Sequence, residues 1–171
     1  TLIMGVLVMA LSEHRQMNTI GTNKKIHHLT VIEEAHNLLR NSADSGSGGS
    51  DLIRKSVEMM SNAIAEMRTY GEGFLIVDQS PTAVDISAIK NTNTKIVMRL
   101  PEQHDCEAMA NAMGLDEFQQ KEIAKFQQGV AVVMQNDWTS AVLVKVAKSN
   151  PPVGEEEWVD SKYNRYMRSI I

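Results

Sequence analysis

Leu29-Thr30-Val31-Ile32 is a short apolar run that ends at once in two carboxylates, Glu33-Glu34, followed by Ala35-His36. Strand-forming residues that deliver paired acids suit the hydrolysis of a nucleoside triphosphate, where positioning and charge stabilisation matter more than covalent chemistry. One acid, Glu33, would hold a magnesium ion through water. The next, Glu34, would orient or deprotonate the attacking water. A glutamine amide can sense a terminal phosphate, which suits Gln79, and a planar guanidinium can meet the charge developing in transfer, which suits Arg68 and Arg99. Each residue alone also has a plain structural explanation. Acids after a strand often just begin a helix, where the dipole favours them, and an arginine is most often a surface ion pair. The signal is their joint placement.

That placement depends on the elements carrying them. Leu2 to about Met17 reads as a helix, buried at first and polar at its end, and the stretch Asn18 to Asn23, with Gly21, breaks it. Leu29 to Ile32 reads as a strand. Residues 41–50 are rich in serine and glycine and read as a flexible loop. Asp51 is placed to cap a long helix whose apolar face is Ile53, Val57, Met60, Ile64 and Met67, closed by Gly71. Phe74-Leu75-Ile76-Val77 is a continuous apolar run, as in a strand covered on both faces. A short helix near 85–90 and a third buried strand, Ile96-Val97-Met98, follow. Helices to Met113 and from Asp116 to about Gln128 come next, then a hairpin from Gly129 to Val146 turning at Asn136-Asp137-Trp138. The tail, with Trp158, Tyr163 and Tyr166, reads as a helix.

Alternating strands and helices imply a parallel sheet flanked by helices, with functional groups at the carboxyl ends of its strands. Those ends carry Glu33-Glu34, Asp78-Gln79 and Arg99. The phosphate-cradling loop such a site needs is not found. Gly49 to Ser56 has the length of one, but Arg54 stands where glycine must precede the lysine, and Leu52 and Ile53 belong to the following helix.

Composition narrows the classes. The 171 residues carry a net charge of −4 with 43% hydrophobic side chains, which suits one globular domain and argues against a generic nucleic-acid coat. The single cysteine, Cys106, forms no internal disulfide and fits a reducing cytoplasm. Its neighbours His104, Asp105 and Glu107 read as polar residues of an exposed helix. The apolar start, Leu2 to Leu11, is too short to span a bilayer and lacks the features of a signal peptide. The opening on Thr1 reads as a cut inside a longer protein.

Val31-Ile-Glu-Glu-Ala-His-Asn-Leu-Leu39 resembles the Walker B segment of the HerA/FtsK superfamily of DNA-pumping ATPases, the HerA branch above all. Ile64-Ala-Glu-Met-Arg-Thr-Tyr-Gly71, Gly73-Phe-Leu-Ile-Val-Asp-Gln-Ser-Pro81 and Asn93-Thr-Lys-Ile-Val-Met-Arg99 are similar to three further blocks of that family, in family order. The resemblance implies a RecA-like P-loop NTPase fold, ATP and Mg2+ as cofactors, a homo-hexameric ring, and movement of double-stranded DNA, with a nuclease or other pathway partner. Glu33 then matches the metal-associated acid, Glu34 the catalytic glutamate and Gln79 the sensor. Arg68 matches an arginine supplied to a neighbouring subunit, and Arg99 a second arginine near the phosphates. Residues 1–148 would be the C-terminal part of the ATPase domain, incomplete without its phosphate loop, and 149–171 a helical tail. Glu33 replaces the more usual aspartate, Thr69 a common lysine, and Ser80 a common arginine; related conjugation ATPases often carry serine at that last position. Two other readings stay open: a conjugation or secretion ATPase, and a non-catalytic RecA-like interaction module. Lys24, Lys25, Lys90 and Lys95 are candidate DNA contacts or plain solvated surface.

Overall fold

The computed structural model describes residues 2–18, 23–41 and 50–148. Most of the expected 41–50 loop and the whole expected tail helix lie outside the described residues. Helix α1 (Leu2–Asn18) leads into β1 (Asn23–Glu33), then α2 (Ser50–Met67) and β2 (Tyr70–Val77). After these come α3 (Ile86–Asn91), β3 (Thr94–Val97), α4 (Gln103–Met113), α5 (Glu117–Ile123), β4 (Val130–Gln135) and β5 (Val142–Lys145). Among the described residues no helix is long and apolar enough to cross a membrane.

Strands β1 and β2 pair in parallel, with Ile32 opposite Ile76 and Glu33 opposite Val77. Both therefore end at the same level, as a βαβ unit requires when it brings two strand ends to one edge. The inner face of this pair packs on the helices. Ile32 is buried with Val8 of α1, Met60 and Met67 of α2, and Val84 and Ala88 around α3, and Phe74 and Ile76 pack against the same cluster. The outer face differs from expectation. Leu29, Val31, Leu75 and Val77 are each about half exposed, so among the described residues only one face of the pair is covered.

Strand β3 also departs from the sequence reading. It pairs with β4 antiparallel, and β4 with β5, giving a three-stranded sheet of order β3-β4-β5. A short apolar run is compatible with either kind of neighbour, so periodicity alone could not decide between them. A second core lies under this sheet, built from Val97, Leu100, Cys106, Met109, Met113, Ile123 and Val132. Helix α4 stops at Gly114, which takes a left-handed φ of 66°. Asp116 begins α5 with a capping box, its carboxylate accepting from the Gln119 amide. Helix α2 includes Ser50 and Asp51, so Asp51 lies in its first turn instead of capping it. Residues 51–54, which would have to form the loop, fall within the same helix, which disposes of the phosphate-loop lookalike.

Candidate functional site

The shared strand edge assembles the acidic pair and the glutamine. Glu33 is the last residue of β1 and is exposed. Glu34 takes φ 50° and ψ 52°, a left-handed conformation and the lone positive φ at a non-glycine position among the described residues. Such a backbone costs on the order of 1–3 kcal/mol and persists only where its surroundings impose it. Here it swings the chain out of the strand into a 3-10 turn, Ala35–Asn37, whose Ala35 is fully buried.

Across the edge, the Gln79 amide nitrogen Nε2 donates to Glu34 Oε1 at 3.0 Å. Beneath that contact lies a more buried one. The backbone N–H of His36 donates to Asp78 Oδ2 at 2.8 Å, and His36 Nδ1 lies 2.9 Å from the same oxygen. Ser80 N–H donates to Asp78 Oδ1 at 3.0 Å. The Asp78 side chain is 7% exposed. Burial alone would raise its pKa, but the Ser80 and His36 amides and the His36 ring outweigh burial and hold it below the ordinary carboxylate value. His36 Nδ1 also lies 3.7 Å from Glu34 Oε2. One imidazole therefore ties the turn after β1 to the end of β2. Asp78 and His36 stood in the sequence motifs, but nothing there showed that they bond each other 42 positions apart.

The remaining candidates lie elsewhere. Arg68 is exposed in the turn between α2 and β2, where its carbonyl accepts from Gly71 N–H at 3.2 Å. That turn sits at the opposite end of β2 from Gln79, roughly 23 Å away along an 8-residue strand. Arg99, also exposed, follows β3 and donates from Nε to the Ala124 carbonyl at 3.1 Å, at the end of α5. Among the described residues no group of three or more His, Cys, Asp and Glu side chains could hold a metal ion. A magnesium ion at Glu33 and Glu34 would thus be held by one or two carboxylates and completed by water and phosphate oxygens, the usual habit of that ion beside nucleotides.

Two surface readings are corrected. Lys95 is 7% exposed, and its Nζ donates to the Thr92 carbonyl at 2.8 Å, which removes it from the candidate DNA contacts. Burial pushes its pKa below the ordinary lysine value. Asp105 and Cys106 are buried, not part of an exposed polar face.

No protein-family model matches the chain. It is 26% identical over 150 residues to the DNA double-strand break repair helicase HerA of Sulfolobus acidocaldarius, covering 84% of this chain and 28% of that protein. It is 27% identical over 157 residues to the protein of the same name from Sulfurisphaera tokodaii, covering 88% of this chain and 30% of the relative. The chain therefore spans less than a third of the length of the curated relatives it matches. In fold it resembles the genome packaging NTPase B204 of Sulfolobus turreted icosahedral virus 2, solved with ATP-gammaS, at a TM-score of 0.57 and 13% identity over 83% of this chain and 63% of that one. It also resembles the pCW3 conjugation coupling protein TcpA, solved with ATPgS, at a TM-score of 0.59 and 13% identity over 95% of this chain and 48% of that one. These likenesses give the fold as RecA-like.

Proposed function

We propose, from the premise that this is a HerA/FtsK-type ATPase chain, that it forms the C-terminal part of an ATP-driven DNA-translocating motor. The observation that carries the proposal is the contact between Glu34 and Gln79 across the carboxyl ends of two parallel strands in register. It joins the water-activating acid of one strand to the phosphate-sensing amide of the next.

In this reading Glu34 Oε1 takes the proton of the attacking water, and Gln79 Nε2 turns from Glu34 to the terminal phosphate when nucleotide binds. Bound Mg2+ would supply charge neutralisation on the phosphates, with Glu33 holding it through water. His36 and Asp78 fix the distance between the two strand ends. Arg68, too far along β2 to serve the same nucleotide, serves that of a neighbouring subunit, which supports a ring, here a homo-hexamer. Arg99 approaches the phosphates from the second sheet after release from Ala124. The uncovered outer face of β1 and β2 supports a larger domain with further elements packed on that face, because parallel sheets are ordinarily covered by helices on both faces. We place the phosphate loop in the remainder of the full-length protein, with double-stranded DNA as the substrate moved, a nuclease or other pathway partner, and the cytoplasm as the compartment.

The full-length protein should hydrolyse ATP with magnesium, and Glu34→Gln should lower kcat by about 10²–10⁴, the usual contribution of a general base. Retained activity in that variant would refute the role of Glu34. A conjugation-type motor is favoured by one observation, the serine at position 80, whose hydroxyl is bonded within the chain. Stimulation by single-stranded rather than double-stranded DNA would select it. A parent without a phosphate loop would select a non-catalytic module instead.

A further inference from the structure

Helix α4 belongs to the second core, where Cys106, Met109 and Met113 are buried. Yet its first turn carries a charged side chain that points elsewhere. Asp105 is 5% exposed, and a single one of its oxygens, Oδ1, accepts three hydrogen bonds. These come from Ser80 Oγ at 3.2 Å, Thr82 N–H at 2.9 Å and Thr82 Oγ1 at 2.7 Å. The plain explanation would be a carboxylate serving its own helix terminus. The bonding argues otherwise. The N-cap of α4 is Glu102, which makes no side-chain cap, and the hydrogen bonds of Asp105 go to a turn more than twenty positions away.

That turn begins immediately after Gln79. Its first residue, Ser80, is gripped from two sides: Asp78 accepts from its N–H and Asp105 from its hydroxyl. The next turns are closed by Ala83 N–H to the Ser80 carbonyl at 3.0 Å and Val84 N–H to the Pro81 carbonyl at 3.1 Å. Gln79 itself is exposed, and its amide bonds Glu34, which is exposed as well. The aim of that amide therefore depends on the backbone that follows as well as on Glu34. A buried carboxylate is costly unless hydrogen-bonded, and all three donors to Oδ1 belong to that one turn.

We propose that Asp105 is a positioning residue for Gln79, coupling α4 and the second core to the phosphate-sensing amide at the strand edge. This rests on the reading of Gln79 as sensor. It assigns no contact between Asp105 and the nucleotide.

The first test needs no turnover. In the 171-residue chain, NMR would follow the Thr82 backbone amide and the Gln79 side-chain NH2 group. Asp105→Ala should speed Thr82 amide exchange about tenfold or more and move the Gln79 NH2 signals toward those of free glutamine. Asp105→Asn, which keeps Oδ1 as acceptor, should leave both near wild type. If Asp105→Ala does not fold, Thr82→Val removes one donor and is read the same way. Gln79 signals that stay in place while Thr82 loses protection would overturn the proposal and leave Asp105 a structural residue. In the full-length protein, Asp105→Ala should lower kcat about tenfold with KM changed much less, as expected of a displaced catalytic group. In a Gln79→Ala background it should lower kcat no further. Full additivity would overturn the coupling. A wild-type protein without ATPase activity would defeat the motor reading, while the NMR comparison would still decide this one.

Discussion

Glu72 offers a quantitative test of how buried charge is used in this chain. Its side chain is 0% exposed, on β2 among the elements that carry the strand edge. Arg15 of α1 reaches Oε2 twice, from Nε at 3.1 Å and from its terminal nitrogen at 3.0 Å. His28 Nδ1 and Thr30 Oγ1, both from β1, lie 2.6 Å from Oε1. Burial raises the Glu72 pKa, but Thr30, His28 and Arg15 together hold it below its ordinary 4.5. Two substitutions separate the cost of the charge from the value of the pair. Arg15→Met keeps the apolar stem and strips both donors from Oε2, leaving a buried carboxylate half satisfied. Breaking a buried pair this way costs about 3–5 kcal/mol. Arg15 is 27% exposed, so water can partly replace it, and we take about 2–3 kcal/mol. Glu72→Leu instead removes the buried charge and fills similar volume. Arg15 and the 54% exposed His28 return to water, and only the Thr30 hydroxyl loses a partner, so the cost is about 0–1 kcal/mol.

The assay is urea denaturation of the chain at pH 7, with unchanged m-values as the check that both variants unfold as wild type does. Arg15→Met should be the more destabilised by about 1–3 kcal/mol, the difference between the two costs. The pH dependence supplies an internal control. Glu72 has a folded pKa below its unfolded value, so its stabilisation is fully present above about pH 4.5 and is lost as pH falls through the folded value. The Arg15→Met penalty should therefore shrink below pH 4.5, because a protonated carboxyl no longer needs the guanidinium. If Glu72→Leu costs as much as Arg15→Met or more, the reasoning fails, and the ion pair contributes net stability instead of merely neutralising a buried charge.

Two further outcomes are expected. Burial, with a smaller push from Asp105, raises the Cys106 thiol pKa, and Sγ bonds the Leu100 carbonyl, so native protein at pH 8 should react with a thiol reagent at least ~100-fold more slowly than unfolded protein; rapid native labelling would contradict the packing of α4. Val31 is 51% exposed on the uncovered sheet face, so Val31→Lys should change the stability of this chain by less than about 0.5 kcal/mol and reduce its self-association. In the full-length protein the same substitution should be strongly destabilising, and tolerance there would count against further elements covering that face.

How much of this was legible depends on the range of the interactions. The strands of the βαβ unit and the helix boundary between Met113 and Asp116 are local patterns, and the structure carries them. The pairing partner of β3 is not local, so Ile96-Val97-Met98 read as part of one sheet when β3 belongs to another. Lys95 and Ile96 show the limit within a single strand. The lysine is 7% exposed and the isoleucine 61%, the reverse of what residue type suggests, because Nζ finds the Thr92 carbonyl. The acid pair and Gln79 were legible as residues at strand ends. Their scaffold was not: His36 with Asp78, and Asp105 with Thr82, are pairs across 42 and 23 positions that no spacing rule links.

The distribution of burial separates two kinds of carboxylate. Glu33 and Glu34 are exposed, while Glu72, Asp78 and Asp105 are buried and bonded to groups on other segments. Exposed acids are stabilised little by the chain itself, and their field is screened by water until something excludes that water. Buried, hydrogen-bonded acids do the opposite and fix backbone geometry whether or not a ligand is bound. In the proposed motor, catalysis therefore depends on a ligand and a neighbouring subunit drying the edge that this chain only shapes. In that proposal the exposed Arg68, at the far end of β2 from Glu34, would serve a neighbouring copy's site instead of its own.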